Sequence, residues 1–267
     1  MLSLKNPIAN LAQITQSPSK SDGIDEILED DLRCLGCELI QNGGILLKLP
    51  QRTMATGQVL FQRFYYTASL KDHALIEIVL GALFLACKIE ETSRKMRDII
   101  NVIDYLIKYK RDLPFTPLSI YSEQYYNFKD SMIRGEILIL RQLGFNVQVE
   151  LPYGLLVNYL KALNLSDTSS LPQLAWNYLN DGLRTKIFVA YDLPTLACGV
   201  IFLACRTCEV PMPESPPWWE LFGAELEDIE QIANHILRLY TRKFISNQFL
   251  QNLLTKKFVP NYSHSHL

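Results

Sequence analysis

The chain has 267 residues, 48% hydrophobic and 20% charged, a composition that fits one large or two ordinary globular domains and excludes a disordered chain. Lys+Arg number 26 against 28 Asp+Glu, a net charge of −2 with no long basic run. That balance excludes the basic footprint usual in nucleic-acid binders and points to protein partners.

The first residues, MLSLKNPIANLAQ, lack the apolar core and cleavage site of a secretory signal. QSPSKSDG (16–23) reads as loop, so residues 1–22 are expected to be an N-terminal tail. Acids from Asp25 to Asp31 then precede Leu32, Leu35, Leu39 and Ile40, the apolar face of a first helix that Gly43-Gly44 is expected to end. A second helix is predicted from Gln51 to about Ser69, with Met54, Gly57, Phe61, Phe64 and Ala68 on one face. The third, from about Asp72 to Ile89, contains ten consecutive apolar or glycine residues, Ile78 to Cys87. Such a run is too short for a membrane span of ~20 residues and too uniform for a surface helix, so it is expected to be fully buried. A fourth helix from Arg94 to Lys110 and a fifth from Tyr121 to Leu143 complete the set, and Phe145 to Leu151 reads as an extended linker.

The plan then repeats. LACGVIFLAC (196–205) matches the buried run at an offset of 118 residues, pairing Gly81 with Gly199, Phe84–Cys87 with Phe202–Cys205, Lys88 with Arg206 and Glu91 with Glu209. Helices are predicted near Tyr153–Asn164, Pro172–Ala190, Pro194–Glu209, Trp218–Phe222 and Glu225–Leu250. The reading is an all-α protein of two tandem five-helix domains: 23–146 and 147–250, followed by a C-terminal tail, 251–267. The proline-rich approach to Trp218 leaves little room for a longer fourth helix there. Pro216, Pro217, Trp218 and Trp219 form either a contact surface or internal packing.

Chemistry-bearing motifs are few. Cys34-Leu-Gly-Cys37 and Cys205-Arg-Thr-Cys208 lie far apart in different repeats, unlike the paired motifs of a zinc ribbon, so no metal site is expected. The six cysteines read as reduced residues of a cytosolic or nuclear protein. None of the four histidines has a catalytic context, and no glycine-rich phosphate loop is present, so neither catalytic residues nor cofactors are expected. Ser17-Pro18 and Ser215-Pro216 have the form of proline-directed phosphorylation sites and equally of turn dipeptides.

Two polar residues stand out. Lys88 ends the buried run, either as a solvated lysine paired with Glu91 or as a cation held at the domain surface. Glu136 sits among aliphatics of the fifth helix, either on a solvated stripe beside Arg134 or facing the lysine and a partner. Periodicity does not choose between these.

LACKIEE (85–91) on a third helix and GEILILRQLGFNV (135–147) on a fifth resemble the signatures of the cyclin box, a five-helix domain that cyclins carry in tandem. DLRCLGCELIQNGGILLKLPQ (31–51), MATGQVLFQRFYY (54–66), RDIINV (97–102), AWNYLNDGLRT (175–185) and PMPESPPWWELFG (211–223) are most similar to the cyclin L group, linked to transcription and pre-mRNA splicing. The resemblance implies a nuclear regulatory subunit that forms a heterodimer with a cyclin-dependent protein kinase and does no chemistry itself. It places Lys88 and Glu136 on the family's kinase-gripping pair, and Ile89, Leu140, Phe145 and Val147 on its apolar kinase contacts. It leaves room for an additional protein partner on the second box and implies no membrane and no direct nucleic-acid contact. Transcriptional cyclins of the K, T or C kind and a bridging factor like transcription factor IIB are the alternatives. The substrate-docking groove of cell-cycle cyclins uses a tryptophan and a glutamate where this chain has Leu39 and Asn42, so that docking is not expected. The Arg/Ser-rich tail common in the cyclin L group does not occur before Leu267, so direct recruitment to splicing bodies is not expected from this stretch.

Overall fold

The computed structural model describes residues 8–168, 170–213 and 215–241. Among these every regular element is helical, and none is long and apolar enough to cross a membrane. The chain divides into two compact units, one of residues 11–148 and the other of residues 149–241 together with 8–10. Ala9 N–H donates to the Val189 carbonyl (2.8 Å), which ties the leading segment to the latter unit.

In the first unit, α1 (Leu11–Thr15) and α2 (Pro18–Ser21) precede five longer helices: α3 (Glu26–Leu46), α4 (Gln51–Tyr65), α5 (Leu75–Ile89), α6 (Met96–Lys110) and α7 (Glu123–Gln142). Asp25 caps α3 by accepting from Ile27 N–H, and Ser122 caps α7 by accepting from Tyr125 N–H. Helix α5 packs against α3, α4, α6 and α7, which explains why it is apolar all round. Each fully buried Leu, Ile or Val on it contributes about 1.5–3 kcal/mol.

Three expectations need correction here. Gly43 and Gly44 do not end α3, which runs on to Leu46. A Cβ on Gly44 would lie 2.2 Å from Met54 Cγ, and one on Gly43 3.2 Å from Ile103 Cδ1, so this pair serves close helix packing. Residues 11–22 are not an unstructured tail, because Ser17 caps α2 while its hydroxyl donates to buried Glu29 (2.5 Å). Ser19 is fully buried and accepts from Leu70 N–H (3.0 Å). The Ser17 hydroxyl is therefore inaccessible in this packing. Finally, the buried run has one exception, since Phe84 is only half-buried while its nine companions are buried.

The second unit contains α8 (Tyr153–Ala162), α9 (Leu171–Gly182), α10 (Ile187–Ala190), α11 (Leu193–Thr207), a 3-10 helix (Trp218–Phe222) and α12 (Leu226–Thr241). Helix α11 packs against α8, α9, α12 and the 3-10 helix, repeating the plan around α5. The single helix expected over Pro172–Ala190 is two. Thr185 Oγ1 donates to Gly182 O at the end of α9, and Ile187 packs back onto the bare Gly182 backbone. Trp218 belongs to the core and Trp219 is half-buried, so packing accounts for this pair. The expected end of the last helix at Leu250 and the tail 251–267 lie outside the described residues.

Both central helices end in the same unusual way. Glu91 and Glu209 adopt left-handed backbone (φ 53° and 54°) where a glycine is usual. Thr92 N–H then closes on Cys87 O and Val210 N–H on Cys205 O, each at 2.9 Å. A left-handed non-glycine residue costs about 1–2 kcal/mol, part of which glycine returns by loosening the unfolded chain. Glu91→Gly is therefore expected to stabilise the protein by about 0.5–1 kcal/mol, read as a higher melting temperature; a lower one would refute the assignment of strain.

Candidate functional site

Helices α5 and α7 cross at a pair of glycines. A Cβ on Gly81 would lie 2.4 Å from the Gly135 carbonyl carbon, and a Cβ on Gly135 would lie 2.2 Å from Glu77 O. Only glycine on both sides permits this approach, and the next residue of α7 is Glu136. The Glu77 side chain is buried beside Arg134 (3.5 Å); burial raises its carboxyl above the ordinary range, with the Arg134 guanidinium opposing. Arg134 is thereby engaged away from Glu136.

Lys88, in the last turn of α5, supplies the partner. Its ammonium donates to Glu136 Oε1 (2.7 Å) and Oε2 (2.9 Å) and lies 4.1 Å from the centroid of the Phe84 ring. Lys88 thus reaches across to α7, and the Glu91 alternative does not hold. The lysine side chain is 48% exposed and the glutamate 13%, which puts the pair at the rim of the unit. An ion pair so exposed adds only about 0–1 kcal/mol to stability.

Around the pair, the other residues expected at the site occupy the helix ends. Ile89, the final residue of α5, and Leu140, on α7, are half-buried. Phe145 N–H donates to Leu140 O (2.8 Å) and Gly144 N–H to Arg141 O (3.2 Å), a full Schellman cap. Phe145 follows Gly144 into left-handed backbone (φ 61°) with 71% of its surface exposed, an uncommon and costly placement for an aromatic residue. Val147 is half-buried in the extended segment beyond. Arg63, buried in α4 and with its pKa lowered to about 10 by desolvation, donates to Gln148 O (3.0 Å) and anchors that segment. Gln142 Nε2 donates to Thr67 O (2.7 Å) and secures the end of α7.

The structure brings Lys88 and Glu136 into contact and ties Leu140 to Phe145 through the cap. Sequence reasoning missed Ile133 and Ile137, which flank Glu136 on α7 and are 36% and 51% exposed. Their repetition at i, i+4 beside a carboxylate was the available signal. The rim therefore combines one fixed ion pair with exposed aliphatic and aromatic side chains, the composition of an interface centre.

The cysteines offer no comparable chemistry. Burial pushes the Cys87 and Cys205 thiols up to about 11 and Cys198 to about 12, where the thiolate is scarce near neutral pH. Among the described residues no group of His, Cys, Asp and Glu is assembled to hold a metal ion.

Residues 11–148 match the family model "Cyclin, N-terminal domain". Cyclin-L2 of Mus musculus is 43% identical over 96% of this chain, and Cyclin-L1 of Homo sapiens 44% identical over 92%. The chain spans about half the length of these relatives, 49% and 47% respectively. Among solved structures, the yeast RNA Pol II CTD kinase CTDK-1 complex contains a chain with the same fold (TM-score 0.73, 18% identity, 90% of this chain and 74% of that one). The CAK complex of Chaetomium thermophilum bound to ATP-gamma-S contains another (TM-score 0.59, 19% identity, 93% and 80%). The matched family model covers the unit that carries Lys88 and Glu136, and the chain belongs to the cyclin family.

Proposed function

We propose that this chain is the regulatory subunit of a cyclin-dependent protein kinase acting in transcription and pre-mRNA processing, and that it works in the nucleus as a heterodimer with that kinase. The observation that carries the reading is the Lys88–Glu136 pair, held at the rim of the cyclin N-terminal unit among exposed Ile133, Ile137 and Phe145. Residues 23–146 are the kinase-binding box in this reading, and Lys88, Ile89, Glu136, Leu140, Phe145 and Val147 its contacts. Residues 147–250 are a second box available to an additional protein. Similarity to cyclin-L proteins favours the transcription and splicing assignment, and the kinase that co-purifies separates it from a K, T or C type.

Such a subunit acts by differential binding. It adds contacts to the kinase conformation in which the ATP-positioning lysine–glutamate pair is assembled and so raises that state's population. The apolar contacts contribute most of the affinity, and the desolvated charges fix orientation.

The test is affinity capture of a tagged chain with identification of the recovered kinase. Lys88→Ala combined with Glu136→Ala is expected to reduce recovery roughly thirtyfold or more. The melting temperature should change little, because the pair is solvent-screened. Undiminished capture by the double variant would overturn the assignment.

A further inference from the structure

We propose that Phe84 is a positioning residue of this interface: its ring fixes the Lys88 ammonium at the point where Glu136 receives it. The inference rests on the reading of Lys88 and Glu136 as partner-gripping residues and adds to it a residue so far regarded as scaffold.

Three observations carry it. Within Ile78–Cys87, Phe84 alone is only half-buried, while the other nine residues are buried, on a helix packed against four others. It precedes Lys88 by one turn, and helical side chains lean toward the N-terminus, so the lysine stem lies back over the ring. The ammonium then sits 4.1 Å from the ring centroid, well inside the range in which a ring face attracts a cation.

The second unit supplies an internal control. Phe202 is likewise half-buried on α11, and the Arg206 guanidinium lies 5.2 Å from its ring centroid. There the central glycine, Gly199, meets Ile232 instead of a glycine, and the residue after it is buried Ala233, not a glutamate. Among the described residues, the ring–cation pair thus occurs without a carboxylate in the place of Glu136. It belongs to the repeated helix, and the first unit adds Glu136 to a cation already placed.

Placement matters because a lysine ammonium rides on a flexible four-carbon stem with large rotamer freedom. An unrestrained Lys88 would lose that freedom on meeting a partner, whereas one held by ring and carboxylate has already lost it. The ring attracts the charge through its face without using an N–H, so both Glu136 bonds are kept.

The test replaces Phe84 by a trifluorinated phenylalanine, which keeps ring shape while withdrawing charge from its face, alongside Phe84→Leu and Phe84→Trp. Nuclear magnetic resonance of the free chain reads the ring-current shift of the Lys88 ε-methylene protons. Titration of the kinase subunit captured by the wild-type chain reads affinity. Expected are an upfield shift in the wild type and in Phe84→Trp, its loss in Phe84→Leu, and affinity about three- to tenfold weaker for the trifluorinated and Leu variants at unchanged melting temperature. In a Lys88→Ala background the fluorination effect should vanish. No ring-current shift at Lys88, or wild-type affinity of the trifluorinated chain where Lys88→Ala binds poorly, would overturn the role of Phe84 alone. Full binding by Lys88→Ala with Glu136→Ala would instead remove the interface reading, and this inference with it.

Discussion

Gly135→Ala is expected to lower stability by about 3 kcal/mol, the upper end of the range for overpacking a core, with a fall in melting temperature on the order of 10 °C. The new Cβ would stand 2.2 Å from Glu77 O, a backbone atom of a helix enclosed by four others. No side chain there can rotate aside, so one whole helix must move. Gly199→Ala, at the matching place in the second unit, meets the Ile232 side chain at 2.6 Å and should cost less, because that side chain can shift. Thermal melts of the two variants provide the comparison, and equal losses would show that the backbone contact is not the cause.

The second large effect is expected at Arg33, which is buried on α3. Its guanidinium donates to Glu29 Oε1 (3.1 Å), Gln62 Oε1 (2.8 Å) and Gln62 O (3.0 Å), and its carbon lies 3.8 Å from the Tyr66 ring centroid. Arg33→Ala leaves the buried Glu29 carboxylate without its cation, a loss of about 3–5 kcal/mol measurable by denaturant unfolding. Adding Glu29→Gln should restore part of the loss by removing the stranded charge. If the double variant is no more stable than the single one, the penalty lies in lost packing. Arg33→Lys should rescue poorly, since an ammonium cannot reproduce the planar fork.

Most of the helical plan is written in apolar spacing, which is a local property. The central helix α5, its internal copy α11 and the extended segment after α7 could all be recognised from it. The pairing of Lys88 with Glu136 could not, because it depends on how closely α5 crosses α7. That distance is set by two glycines 54 positions apart, Gly81 and Gly135. The same kind of ambiguity misled the reading of Gly43-Gly44: a glycine pair looks alike whether it stops a helix or lets another lie against it. Residues 11–22 were obscured for a different reason. Their order comes from Ser17 and Ser19, whose hydrogen bonds reach Glu29 and the distant Leu70 N–H, and serine in a Ser/Pro/Gly stretch carries no mark of such contacts. Phe84 was hidden by its neighbours, since nine truly buried residues made the tenth look buried too.

The facing glycines of α5 and α7 also act as a keyway. Along α7 only Gly135 lacks a Cβ near this crossing, so sliding the helix one residue in either direction would press Arg134 or Glu136 into the Glu77 carbonyl. The joint assembles in a single register, and that register carries Glu136 to the same station relative to Lys88 in every copy of the molecule.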